Sequence, residues 1–272
     1  MSTTESNNIN ISNTPMTTQQ PSVYCSLSPL LLKNTHIDSH TTIVIIDVLR
    51  ATSTIATALS SGATRVKAVA EVSECIELVK QLGEDRAIAA GEREGRVAPG
   101  LLHGNSPLEY PAELVRDKTL VLTTTNGTKL LTMAIAHGPG EILTGAFVNL
   151  SAVVSHLIAK RNNVVLACAG WRDAMCLEDT MFAGAVINAL RSSNIGFNIQ
   201  CDSAQAAESI YLAAMGVAMS STNPIYQYLQ VAEHFKRLSK LGCDKDLEYC
   251  LSLDRVSVLP ILNSNDGYLY PH

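Results

Sequence analysis

The stretch that most restricts what this chain can become is Thr42 to Val48, "TIVIIDV". An almost unbroken β-branched run has no side left for solvent. It reads as a strand covered on both faces, the signature of a parallel sheet. Directly after it, "TSTIATALSSG" reads as a helix that stops at Gly62, the residue type favoured just past a helix end. The unit then recurs. Arg65 to Ala70 is a second strand, and Ser73 to Leu82 a helix with Ser73 as its cap. Arg86 to Ala90 is a short strand that breaks into the loop "GEREGRVAPGLLHGNSPLEYP".

Further on, strand Thr119 to Leu122 precedes a helix over Gly127 to Ala136. Strand Ile142 to Ala146 precedes helix Leu150 to Lys160, and strand Val164 to Cys168 precedes helix Leu177 to Arg191. Beyond Gln200 the pattern is helical: Ser203 to Met219, then Pro224 to Leu241, with Pro224 suited to a first turn. A last strand lies in "RVSVLPIL". The expectation is an α/β fold: a largely parallel sheet with helices on both faces, three layers in all, and a helical C-terminal portion. Residues 22–272 read as a single domain. Residues 1–21 read as a disordered polar tail rich in Ser, Thr, Asn and Gln.

With 272 residues, 46% of them hydrophobic, the chain can bury a substantial core. A net charge of −5 gives no basic footprint for nucleic acid. No apolar run approaches the ~20 residues of a membrane helix, and the first residues lack the basic start and apolar core of a secretory signal. Seven cysteines without regular spacing fit free thiols in a reducing cytoplasm, where the protein is expected to reside. The stretch from Ser203 to Leu241 carries enough apolar surface for core packing or for a homo-oligomer interface.

In open parallel sheets, ligands gather where strands end and helices begin. After the first strand stand Asp47 and Arg50; after the third, Glu92, Arg93, Glu94 and Arg96; after the fourth, "TTTNGT"; after the fifth, Asn149; after the sixth, Glu178 and Asp179. A carboxylate ending a buried strand, as Asp47 does, is costly unless a cation or helix start relieves it. Arginines in a glycine-flanked loop suit phosphate, sulfonate or carboxylate, while Glu92 offers a hard oxygen ligand for Mg²⁺. Asn105 and Ser106, in "HGNSPLEYP", are either ligand contacts or parts of a turn. Thr125, Asn126, Gly127 and Thr128 are either a plain helix cap or an anion cradle of backbone N–H groups and hydroxyls. The lysine spacing of a Walker A loop is absent. Glu178 and Asp179 could be ligands or simple partners of a helix dipole. No HxH or HExxH set supports zinc, and no GxGxxG supports a dinucleotide.

The ordered series "IDVLRATSTIATALSSGA", "AGEREG", "GNSPLEY", "TTTNGT", "CAGW…LEDTMFAGA" and "CDSAQAA" resembles the 2-phosphosulfolactate phosphatase family, from about Ile43 to Ile261. The resemblance implies a Mg²⁺-dependent hydrolase that splits the small phosphoester (R)-2-phospho-3-sulfolactate into sulfolactate and phosphate, a step of coenzyme M synthesis. On that basis Asp47, Glu92 and Glu178 or Asp179 are expected to hold Mg²⁺. Arg50, Asn126, Thr128 and the turn N–H groups are expected to bind phosphate, and Arg93 or Arg96 the sulfonate or carboxylate. Asp47 would serve the metal or attack phosphorus itself. One departure is Trp171, with Arg172 and Asp173, where a smaller turn is expected. The rivals are a phosphatase for another small phosphoester and a non-enzymatic anion-binding module.

Overall fold

In a computed structural model that describes residues 20–35, 37–199, 201–217 and 221–272, ten strands form one sheet. They are β1 (Val23–Ser26), β2 (Thr41–Ile46), β3 (Arg65–Val69), β4 (Ala87–Arg93), β5 (Arg96–Val97), β6 (Thr119–Thr123), β7 (Glu141–Gly145), β8 (Asn163–Cys168), β9 (Pro260–Leu262) and β10 (Leu269–Pro271). The helices are α1 (Pro29–Leu32), α2 (Ala51–Ser60), α3 (Val72–Leu82), α4 (Ala112–Val115), α5 (Gly127–Ala136), α6 (Leu150–Lys160), α7 (Leu177–Arg191), α8 (Asp202–Val217), α9 (Pro224–Leu229), α10 (Glu233–Lys240) and α11 (Asp244–Cys250).

The strand order is β1-β8-β2-β7-β9-β10-β3-β6-β4-β5. Two parallel blocks, β1-β8-β2-β7 and β3-β6-β4, are joined by the antiparallel hairpin β9–β10. Leu143 of β7 lies opposite Ile261, and Val66 of β3 opposite Leu269. Successive residues of β2 face opposite layers, as strand geometry requires. Val44 and Ile46 pack with Met181 and Phe182 of α7, whereas Ile43 and Ile45 pack with Leu130 and Leu131 of α5. All four β2 residues are buried, which is why that run carries no polar alternation. The three-layer α/β arrangement and the helical C-terminal portion therefore stand as the sequence indicates.

Several details differ. Strand β1 pairs with β8 and has no long apolar run to announce it. Pro21, assigned to the tail, accepts a backbone hydrogen bond from Asn198, so the chain is engaged before residue 22. Residues 1–19 lie outside the described residues, as do 218 and 219 of the helix expected to reach Met219. Ser73 sits inside α3, whose cap position is Glu71. Strand β4 does not break at Ala90 but runs to Arg93 and hairpins into β5, because Glu92 and Arg93 find partners at the sheet edge. The expected helix over Pro224 to Leu241 is two helices. Ala232 adopts an extended conformation and starts α10 in a new direction, with His234, Phe235 and Leu238 buried. Helix α11 and strand β10 were not evident in the sequence. The buried residues of α8 to α10, among them Ala207, Ile225, Leu229 and Leu238, join the core cluster of α7 and β8.

Helices α7 and α8 pack closely at Gly184. A Cβ there would stand 2.1 Å from the Ala207 carbonyl oxygen. Gly184→Ala is expected to force the helices apart and lower stability by about 3 kcal/mol, read as a fall in the urea midpoint. An unchanged midpoint would contradict this packing.

Candidate active site

The carboxyl ends of β2, β6 and β8 each lead into the start of a helix: α2, α5 and α7. Asp47 follows β2. Its backbone oxygen accepts the Thr52 N–H at 2.9 Å, and its Oδ1 accepts the Ala51 N–H at 3.3 Å, so the start of α2 holds the carboxylate. Its Oδ2 lies over Gly127, where an added Cβ would sit 2.8 Å from that oxygen. Glycine at this position thus lets the start of α5 close onto Asp47.

Glu92, on the end of β4, ties two loops together. Its Oε1 accepts from the Thr125 N–H at 2.9 Å and the Thr125 hydroxyl at 2.8 Å, while its Oε2 accepts from the Gly95 N–H at 2.8 Å. Asn126 occupies the cap position of α5 but makes no side-chain cap bond, so its amide remains available on the cavity wall. Arg50 donates to Asp246 at 2.5 Å and to the Gly95 carbonyl at 3.0 Å. These groups line one cavity of about 660 Å³. Its wall also carries Asn105, whose Oδ1 is buried without a partner, and the cations Arg93, Arg96, Arg172, Arg237 and Lys240.

Not every residue singled out from the sequence reaches that cavity. Asn149 is wholly buried behind it: its Oδ1 accepts from the Ala146 N–H, and its amide donates to the Val258 carbonyl. The Ser106 hydroxyl donates to Asp246 at 2.6 Å and caps a 3₁₀ turn. Thr128 turns inward, its hydroxyl bonded to Thr124. Arg93 lines the cavity, yet its guanidinium donates to the Glu92 and Ala70 carbonyls and the Thr123 hydroxyl. Asp179 accepts the Val48 N–H on Oδ1 at 2.9 Å and the Gly170 N–H on Oδ2 at 3.0 Å. It pins the ends of β2 and β8 rather than facing the cavity, which revises its expected place among the catalytic and metal-binding groups.

His234 and Asp246 were not singled out in the sequence. His234 Nδ1 lies 2.6 Å from Glu178 Oε1, and the other carboxylate oxygen, Oε2, is buried without a hydrogen-bond partner. Among the described residues, the group whose potential ligand atoms all fall within 4.8 Å of one another is Cys176, Glu178 and His234. The all-carboxylate set of Asp47, Glu92, Glu178 and Asp179 does not converge that tightly. Only Glu178 is common to both sets. The sequence signal was weak because His234 is a lone histidine on a separate helix, far from any HxH pattern.

The electrostatics suit the binding of a cation. Burial, and next the charges of Glu92 and Glu178, push Asp47 up to about 6, against the opposing pull of His234 and the Ala51 N–H. Burial, Glu178 and Asp47 also raise Asp179 well above the carboxylate range. Burial and the same acids raise the Cys176 thiol, so it is neutral here. A hard cation beside Glu178 Oε2 would relieve all three.

Residues 27–265 match the family described as 2-phosphosulpholactate phosphatase. The chain belongs to that family. A Thermotoga petrophila protein named "Probable 2-phosphosulfolactate phosphatase" is 40% identical over 221 residues, covering 81% of this chain and 88% of the relative. Proteins of the same name from Clostridium acetobutylicum (36% identical, 80% of this chain and 88% of the relative) and a Synechococcus strain (40%, 80% and 86%) are similar in extent. The family match encompasses β2 to β9 and thus every wall of the cavity.

In this member of the phosphatase family, Asp47 has a folded-state pKa of about 6 against an ordinary 3.8. The folded chain therefore binds more protons than the unfolded chain between those values, and stability from this group falls as pH rises through the window. Without added metal, Asp47→Asn should gain stability relative to the unaltered chain as pH rises from 4 to 7, measured by paired thermal melts. A pH-independent gap would contradict the burial argument. Gly127→Ala should displace Asp47 or α5 and cut phosphatase activity about tenfold or more while the chain still folds; full activity would show that the close approach is unimportant.

Proposed function

We propose that this chain hydrolyses 2-phospho-3-sulfolactate to sulfolactate and phosphate with the help of Mg²⁺. The observation that carries the reading is a single cavity with three chemically distinct walls. Asp47 and Glu92 line it together with His234, which bonds the buried Glu178; Asn126 at the start of α5 forms another part of the lining, and arginines with Lys240 complete it. A substrate with a phosphate, a sulfonate and a carboxylate needs such a set of donors; a small phosphoester with no second anionic group does not.

Glu178 Oε2 and Asp47 would hold the ion, since Mg²⁺ is usually bound by one or two carboxylates with water and substrate phosphate completing the shell. When bound, Mg²⁺ neutralises phosphoryl oxygens and sharpens the attacking water. His234, bonded to the other Glu178 oxygen, fixes that carboxylate. Asn126 and the first N–H groups of α5 orient the phosphoryl group, as helix starts commonly do. Arg50 has spent three of its five N–H donors on Asp246, Cys243 and the Gly95 carbonyl and keeps two for a phosphate oxygen. Arg96 offers charge to the remaining anions, whereas Arg93 acts through the loops it ties. Positioning and electrostatics of this kind account for most of phosphoryl transfer.

Phosphate release from 2-phospho-3-sulfolactate, with and without Mg²⁺, tests the proposal. Turnover should require the ion and vanish in EDTA, and Asp47→Asn or Glu178→Gln should lower kcat by about 10²-fold or more. Full activity in EDTA would remove the metal from the account. Phosphate binding with no turnover on any small phosphoester would identify the chain as an anion-binding module instead.

A further inference from the structure

The turn at Trp171 is the departure within the "CAGW…LEDTMFAGA" stretch. Residues Trp171 to Ala174 close a tight turn with backbone hydrogen bonds in both directions at 3.0 Å. Both central residues, Arg172 and Asp173, are left-handed, with φ of 52° and 62°. Side chains other than Gly, Asn and Asp seldom adopt that backbone, so an arginine there is held by what surrounds it. Asp173 is clasped by Lys129 of α5 at 2.5 and 2.7 Å, which fixes the turn to the helix that begins at Asn126 and Gly127.

The ring of Trp171 gathers the cations of the cavity wall. The Arg172 guanidinium lies 4.5 Å from its centroid, the Arg237 guanidinium 5.0 Å, and His234 stacks on it at 6.4 Å. Arg237 donates to the Glu94 carbonyl at 3.0 Å, yet its Nε is buried without a partner. Two guanidinium groups held against one ring repel each other, and an anion between them offsets that repulsion. An oxyanion would also supply the acceptor that Arg237 lacks.

We propose that Trp171 is a specificity-determining residue, which positions Arg172 and Arg237 to receive the second anionic group of the substrate while the start of α5 receives the phosphate. This adds Arg172 and Arg237, positioned by Trp171, to the recognition that the sequence suggested for Arg93 or Arg96. It builds on the phosphatase reading but is testable by binding alone.

Titration calorimetry with 3-sulfolactate, and separately with inorganic phosphate, compares the unaltered protein with Trp171→Leu, Trp171→Phe and Arg237→Gln. Trp171→Leu and Arg237→Gln should weaken 3-sulfolactate about tenfold or more and phosphate by less than about threefold, while Trp171→Phe, which keeps a ring, retains most of the affinity. Equal loss for both anions, or no loss for 3-sulfolactate, would overturn the assignment. Should Trp171→Leu fail to fold, Arg237→Gln alone decides it in the same way. Because these readouts need no turnover, selective loss together with an inactive protein would uphold the subsite and refute the hydrolase.

Discussion

The molecule depends on one electrostatic constraint: several carboxylates are buried together at the carboxyl edge of a parallel sheet. Asp47, Glu178 and Asp179 feel one another's charge, and burial raises the first and last of them. Such a cluster persists only where donors surround it. The start of α2 supplies them to Asp47, the backbone of Val48 and Gly170 supplies them to Asp179, and His234 supplies one to Glu178. What these donors leave over is an unpartnered oxygen on Glu178, and that remainder is the physical basis of the proposed cation site.

The C-terminal third completes what the alternating units begin. Hairpin β9–β10 fills the space between two parallel blocks that do not pair with each other, so the sheet becomes continuous. Helix α10 brings His234 and Arg237 to the cavity, and α11 brings Asp246 to Arg50 and Ser106. Arg50 is in this sense a hinge point: Asp246 neutralises its charge while its position over the Gly95 carbonyl holds the β4–β5 hairpin beside Asp47. The cavity is thus assembled from segments separated by nearly 200 residues, which explains why its walls differ so much in chemistry.

Much of this was legible because parallel sheets place their loops on one edge. "TIVIIDV" located Asp47, the loop after β4 located Glu92, and "TTTNGT" located a turn whose Gly127 now lies against Asp47. Side-chain direction was less legible. Asn149, Ser106, Thr128 and Asp179 stand in the right segments but point behind the cavity, since each satisfies a buried N–H, a carbonyl or a neighbouring side chain there. His234, Asp246 and Arg237 left no local trace: each is an ordinary residue of a polar helix until packing turns it inward. The break between α9 and α10 decided that turn, and neither glycine nor proline marks it.

The central claim is that Asn126 and Gly127 hold a phosphate opposite a cation bound at Glu178. A crystal structure with Mg²⁺ and phosphate tests it most directly. The account predicts a metal about 2.0–2.1 Å from Glu178 Oε2, and a phosphate in contact with the first N–H groups of α5. Phosphate bound away from the carboxyl edge, or a metal seated elsewhere with Glu178 Oε2 still unpartnered, would contradict it.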